Sequence, residues 1–149
     1  MNKTFYGVIS ILAQIAAMIV GFIGIAKYSF GIAILFVAGC VISFTIFVYA
    51  FCTKCPIRDQ CVHIVHGLLT NLMPNREQGA YSHCERLGTM LYFIFLVTFP
   101  QYWLINSPWL MALFWAILLS GFAINGIKVC GGCGNVYCPM RRRGGPILK

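Results

Sequence analysis

Two cysteine groups carry the chemistry that this sequence offers. Cys52-Thr-Lys-Cys55-Pro56 is followed by Cys61, and Cys130-Gly-Gly-Cys133 is followed by Cys138-Pro139, giving C-x2-C-x5-C and C-x2-C-x4-C. A C-x2-C turn lets two thiolates face one ion, and the backbone amides of the turn can hydrogen-bond the sulfurs. Gly131, Gly132 and Gly134 suit such a turn, because glycine takes positive φ without steric cost. Cys84 lies between the two groups. Cys40 sits in an uncharged run, where a cysteine behaves as a small buried hydrophobe.

Three chemistries compete for these residues. Zinc would take Cys52, Cys55, Cys130 and Cys133 as one closed tetrathiolate, which leaves Cys61, Cys84 and Cys138 without a role. An iron–sulfur assignment uses more of them. Cys52, Cys55 and Cys61 with Cys84 supply four thiolates for one cluster. Cys130, Cys133 and Cys138 supply three more, completed by His63, His66, His83, another subunit or solvent. The Cys55-Pro56 and Cys138-Pro139 steps resemble the Cys-Pro that closes bacterial ferredoxin motifs, although the full C-x2-C-x2-C-x3-C-P run is absent. The third chemistry is disulfide exchange between paired thiols, as in four-helix membrane oxidoreductases that couple cysteines to quinone. Those keep their reactive pairs on the outer, oxidising side. Iron–sulfur is preferred, with zinc as the alternative and thiol exchange third.

The elements that position these residues follow from composition. The chain of 149 residues is 60% hydrophobic and 9% charged, against about 45–50% apolar and about 25% charged in a soluble domain. Too few polar side chains remain to cover a water-soluble globule, and the same numbers exclude disorder. A bilayer core takes roughly 20 apolar residues per helix, and four stretches satisfy it, at about residues 7–26, 30–51, 87–105 and 109–127. None contains Lys, Arg, Asp, Glu or His. The first run is too long for a signal-peptide h-region and no small-x-small cleavage site follows, so it is expected to be retained. Short turns (Lys27, Tyr28, Ser29 and Asn106, Ser107, Pro108) make two helical hairpins. Each hairpin is followed by one cysteine group, an internal echo in which side-by-side packing of the second and fourth spans would bring the triplets together.

Charge sets the expected orientation. Eleven Lys and Arg face three Asp and Glu, a net +8. Lys3, Lys54, Arg58, Arg76, Arg86, Lys128, Arg141, Arg142, Arg143 and Lys149 fall on one side and Lys27 alone on the other, which places both termini and the segments 52–86 and 128–149 in the cytoplasm. Tyr102, Trp103 and Trp109 flank the outer hairpin, as an aromatic belt would. In the reducing cytosol, clustered cysteines point to metal or redox chemistry and not to structural disulfides. The basic excess orients the helices and meets anionic head groups. It calls for no nucleic acid, since no soluble basic module is present.

His63 and His66 lie three residues apart beside an apolar stripe of Val62, Val65, Leu69 and Leu72. This predicts a short amphipathic helix over residues 60–72 lying in the interface, with both histidines at its polar boundary and not ligating. Gln14 and Asn125 are the conspicuous intramembrane polar groups, each expected to bond across a helix interface for about 0.6 kcal/mol. No span carries a histidine for haem or an acid for ion coupling, and the phosphate-loop, zinc-protease and serine-hydrolase signatures are absent. The polar stretch 74–84 could return Cys84 to a cluster or dock a soluble partner.

The expected molecule is an all-α integral membrane protein in the cell membrane, a single membrane domain over residues 1–149. In type it is similar to small cysteine-rich membrane subunits of electron-transfer assemblies. That similarity implies an electron-transfer subunit with further membrane or soluble redox subunits as partners; enzyme status is left open (an oxidoreductase component if it is one), and the zinc alternative makes it a structural scaffold subunit.

Overall fold

The structure is a computed structural model that describes residues 3–57, 61, 63–74, 76–130, 133–135 and 137–138. Gly131, Gly132, Pro139, Arg58, Val62, Arg141, Arg142, Arg143 and Lys149 lie outside the described residues. Among the described residues six α-helices form, in chain order α1 (Lys3–Ala26), α2 (Phe30–Phe47), α3 (Ile64–Thr70), α4 (His83–Thr98), α5 (Gln101–Leu104) and α6 (Pro108–Ile124). No strand occurs among the described residues. Four stretches are long and apolar enough to cross a membrane: Thr4–Ala26, Phe30–Cys52, His83–Leu104 and Pro108–Val129.

Local chemistry explains the boundaries. Ser29 caps α2 by accepting the Ile32 N–H, and Pro108 opens α6, where a missing N–H costs nothing. The third span starts at His83, earlier than its apolar run, because Ser82 and Glu85 form a capping box. It breaks at Phe99-Pro100, where proline has no N–H to continue the ladder. The Gln101 amide covers part of the break. Its Nε2 donates to the Val97 carbonyl at 2.8 Å, and its Oε1 accepts from Trp115 Nε1 at 3.2 Å.

The spans form a bundle in which α1 packs on α6 and α2, and α2 packs on α4. Phe93 of α4 meets Phe122 of α6 with ring centroids 5.6 Å apart. The second and fourth spans are therefore diagonal, not side by side. Small residues allow the close approaches. A Cβ on Gly39 would stand 2.6 Å from the Phe95 ring, and one on Gly121 would stand 3.0 Å from Ala13 Cβ. The core runs through Ala17, Phe36, Cys40, Leu96, Phe114 and Leu118, so Cys40 is the buried hydrophobe expected. Outward faces remain apolar, with Ile19, Leu35, Ile42, Leu91 and Leu119 all exposed.

Candidate metal centre

Both cysteine groups leave the bundle in the same way. After α2 the helix widens into a π-helical turn, Val48–Cys52, closed by the Thr53 N–H on the Val48 carbonyl. After α6 a second π-helical turn, Asn125–Val129, is closed by the Cys130 N–H on the Asn125 carbonyl. In the first, the Thr53 hydroxyl donates to the Tyr49 carbonyl at 2.6 Å, the acceptor an α-helical Thr53 N–H would use. A tight turn follows each. The Cys55 N–H donates to the Cys52 carbonyl at 3.2 Å and the Cys133 N–H to the Cys130 carbonyl, also at 3.2 Å. The echo seen in the sequence is thus repeated in the backbone, and π turns are often found at functional sites.

The two groups meet across the end of the bundle. Cys52, Cys55, Cys61, Cys130, Cys133 and Cys138 all line one cavity of about 130 Å³, together with His63, His66, Tyr81 and Asn135. Cys84 departs from the expected ligand set: it is exposed in the first turn of α4 and does not line this cavity. The capping box directs α4 into the bundle from this point and leaves Cys84 outside. Among the described residues, no three Cys, His, Asp or Glu side chains converge closely enough to hold a single metal ion.

Asn135 joins the two halves of the site. Its Nδ2 donates to Cys55 Sγ at 3.3 Å and to the Tyr81 hydroxyl at 2.7 Å, while its Oδ1 accepts the Tyr137 N–H at 2.9 Å. It is only 3% exposed. Tyr81 stacks on Phe51 with centroids 4.0 Å apart. Glu85 fixes the first loop from the other side. It takes Lys54 Nζ at 3.3 Å and Arg76 Nη2 at 2.6 Å, and Arg76 also covers the Tyr49 ring. Lys54 lies inside the first C-x2-C, so this ion-pair node ties that turn to α4.

The histidines correct the boundary assignment. The helix is shorter than expected, and His66 and Thr70 are buried while Val65, Leu68 and Leu72 point outward. Where the outer solvent is lipid, an apolar face turned outward leaves the polar face to the bundle. His66 is 7% exposed and packs edge-on against Phe44 and Phe47, with centroids 5.3 and 5.7 Å away. The His63 and His66 rings are 4.9 Å apart. His63 lies in hydrogen-bonding reach of the Gly7 backbone and the Asn125 side chain, yet Nδ1 of both rings is buried without a partner. Asn125 therefore serves the site instead of a span–span contact, with its Oδ1 3.8 Å from Cys130 Sγ.

Burial sets the protonation states. It pushes the Cys55 and Cys130 thiols up to about 11 and raises Cys61 as well. The Ile57 N–H on the Cys55 sulfur and the His63 N–H on the Cys61 sulfur pull the other way. Burial, helped by neighbouring His63, takes His66 down to about 4, and burial lowers His63 too. At neutral pH Cys55, Cys61 and Cys130 are thus neutral thiols beside the neutral imidazoles of His63 and His66, and a metal binding there would have to displace the thiol protons.

These features define the class as an all-helical bundle with four potential membrane spans and a cysteine-lined cavity at one end. Comparison with known proteins finds no family model, curated protein or solved structure that matches the chain.

Proposed function

We propose that this protein is a membrane electron-transfer subunit whose cysteine-lined cavity holds an iron–sulfur cluster. The observation that carries the reading is the convergence of six cysteines, three from each motif, on one cavity. When bound, the cluster supplies one-electron transfer.

The candidate ligands are Cys52, Cys55, Cys61, Cys130, Cys133 and Cys138, of which a cluster takes four. His63 and His66 are available to complete a set. The amides of Ile57 and His63 and the Asn135 side chain direct hydrogen bonds at sulfurs, a contact that tunes cluster potential. The same reading places the molecule in the cell membrane with the cysteine end and both termini in the cytoplasm, where Lys54, Arg76, Arg86 and Lys128 outnumber the single Lys27 opposite. Soluble or membrane redox subunits are its partners.

The test is anaerobic purification in detergent, with iron, acid-labile sulfide and absorption measured together. Brown protein that bleaches on reduction is expected, with the colour lost in Cys52→Ser and Cys130→Ser and kept in Cys84→Ser. Colourless protein with stoichiometric zinc, or with neither metal, would overturn the assignment.

A further inference from the structure

A second cavity lies deeper in the bundle, on the lipid side of His66. Its volume is about 160 Å³, and it is enclosed by α1, α2, α3 and α4. Ile15 and Val41, 47% and 56% exposed, stand at its rim, so it opens sideways toward the surrounding lipid. The wall is apolar except where Gln14 of α1, Tyr92 of α4, His66 of α3 and Cys40 of α2 border it. Among the described residues, neither the Gln14 amide nor the Tyr92 hydroxyl has a hydrogen-bond partner, and His66 Nδ1 is buried without one.

Unpaired polar groups inside an apolar cavity are costly unless a ligand satisfies them. A lipid acyl chain would leave all three unpaired. A flat ring bearing carbonyls on opposite edges would accept hydrogen bonds from the amide, the phenol and the imidazole, which approach from three different helices. A cavity of about 150 Å³ takes a benzene-sized ring, and a ring delivered from the bilayer needs a lateral mouth. His66 also borders the cysteine-lined cavity, so the ring would sit one imidazole away from it.

From this geometry we infer that the second cavity binds the headgroup of a lipid-borne quinone, with Gln14, Tyr92 and His66 as its polar contacts. The inference names the membrane partner of the electron-transfer reading, and to that extent rests on it.

The test uses the full-length protein in phosphatidylcholine nanodiscs and a radiolabelled, photoactivatable decyl-tailed benzoquinone. Saturable binding of one probe per chain is expected, with photolabel recovered on α1, α3 or α4. Gln14→Leu and His66→Phe should weaken binding at least tenfold. Ile15→Trp, which fills the mouth, should abolish it, with iron content and absorption unchanged in Gln14→Leu and Ile15→Trp. Absence of saturable binding to wild-type protein that holds its iron would overturn the inference and leave the cluster reading standing. Equal displacement by decane or palmitate would overturn it too, since an acyl-chain pocket would behave so. Variant-sensitive quinone binding to protein without iron would uphold the cavity assignment and sink the electron-transfer reading instead.

Discussion

At the scale of single residues, Asn135 and Glu85 are the side chains that bring two distant loops to one place. Asn135→Leu keeps the volume but removes the donor shared by Cys55 and Tyr81, and an unpaired buried polar group costs about 1–3 kcal/mol. We expect the spans of that variant to stay helical by circular dichroism while the cysteine end loosens, read as faster alkylation of Cys55. Glu85→Gln leaves Lys54 and Arg76 without their anion. The loss should be about 1.5–3 kcal/mol, the range for hydrogen bonds to charged groups, against about 1 kcal/mol for Ser82→Ala, which removes only the cap. Thermal midpoints in detergent would rank the two. The thiols give a pH prediction for metal-free protein. Folding holds Cys55 and Cys130 neutral up to about 11, from an ordinary 9.0, so the folded state binds more protons than the unfolded chain in that window. Their contribution to stability is complete below pH 9 and is lost as pH rises from 9 toward 11. At neutral pH, exposed Cys84 should therefore alkylate first.

Helix packing and helix ends decide the element scale. Gly39→Ala drives a methyl into the Phe95 ring, which is itself held between Phe36 and Phe99. Overpacking of this kind costs typically 1–3 kcal/mol. Gly31→Ala, with nothing within 4 Å of the new methyl, should instead be neutral or gain up to about 1 kcal/mol of helix propensity. A melting comparison of the two variants tests whether α2 and α4 meet as described. The spans themselves were legible because roughly 20 uncharged apolar residues leave a chain little choice but a lipid-facing helix. The cysteine spacing likewise pointed to the two groups that line one cavity. Other features had no such signal. The π turns come from tertiary context at Thr53 and Asn125, and the bridge made by Asn135 depends on a partner 80 positions away. One feature could have been read and was not: Ser82-x-x-Glu85 is a capping-box pattern that sets the true start of α4. The burial of His66 against Phe44 and Phe47, by contrast, had no signal in the spacing of α3.

For the whole molecule, the asymmetry of its two ends matters more than any one contact. Among the described residues, the cysteine end carries Lys54, Arg76, Arg86 and Lys128, while the opposite turns carry Lys27. The proposed orientation, with the cysteine end on the cytoplasmic side, has a consequence that is chemical as well as topological. Thiols facing a reducing compartment remain available to metal, whereas the same thiols facing an oxidising one would pair as disulfides. Orientation therefore decides which chemistry the cysteine cavity can support. On the proposed orientation, a membrane-impermeant maleimide applied to intact cells should label Ser29→Cys, in the turn opposite the cysteine end, and should leave Cys84 unmodified until the membrane is opened. Cys84 is suited to this because it is exposed and stands apart from the cavity, so its access reports the side of the membrane and not the state of the site. Labelling of Cys84 in intact cells would invert the molecule, turn the six clustered thiols toward oxidant, and make disulfide formation the default for residues assigned here to metal.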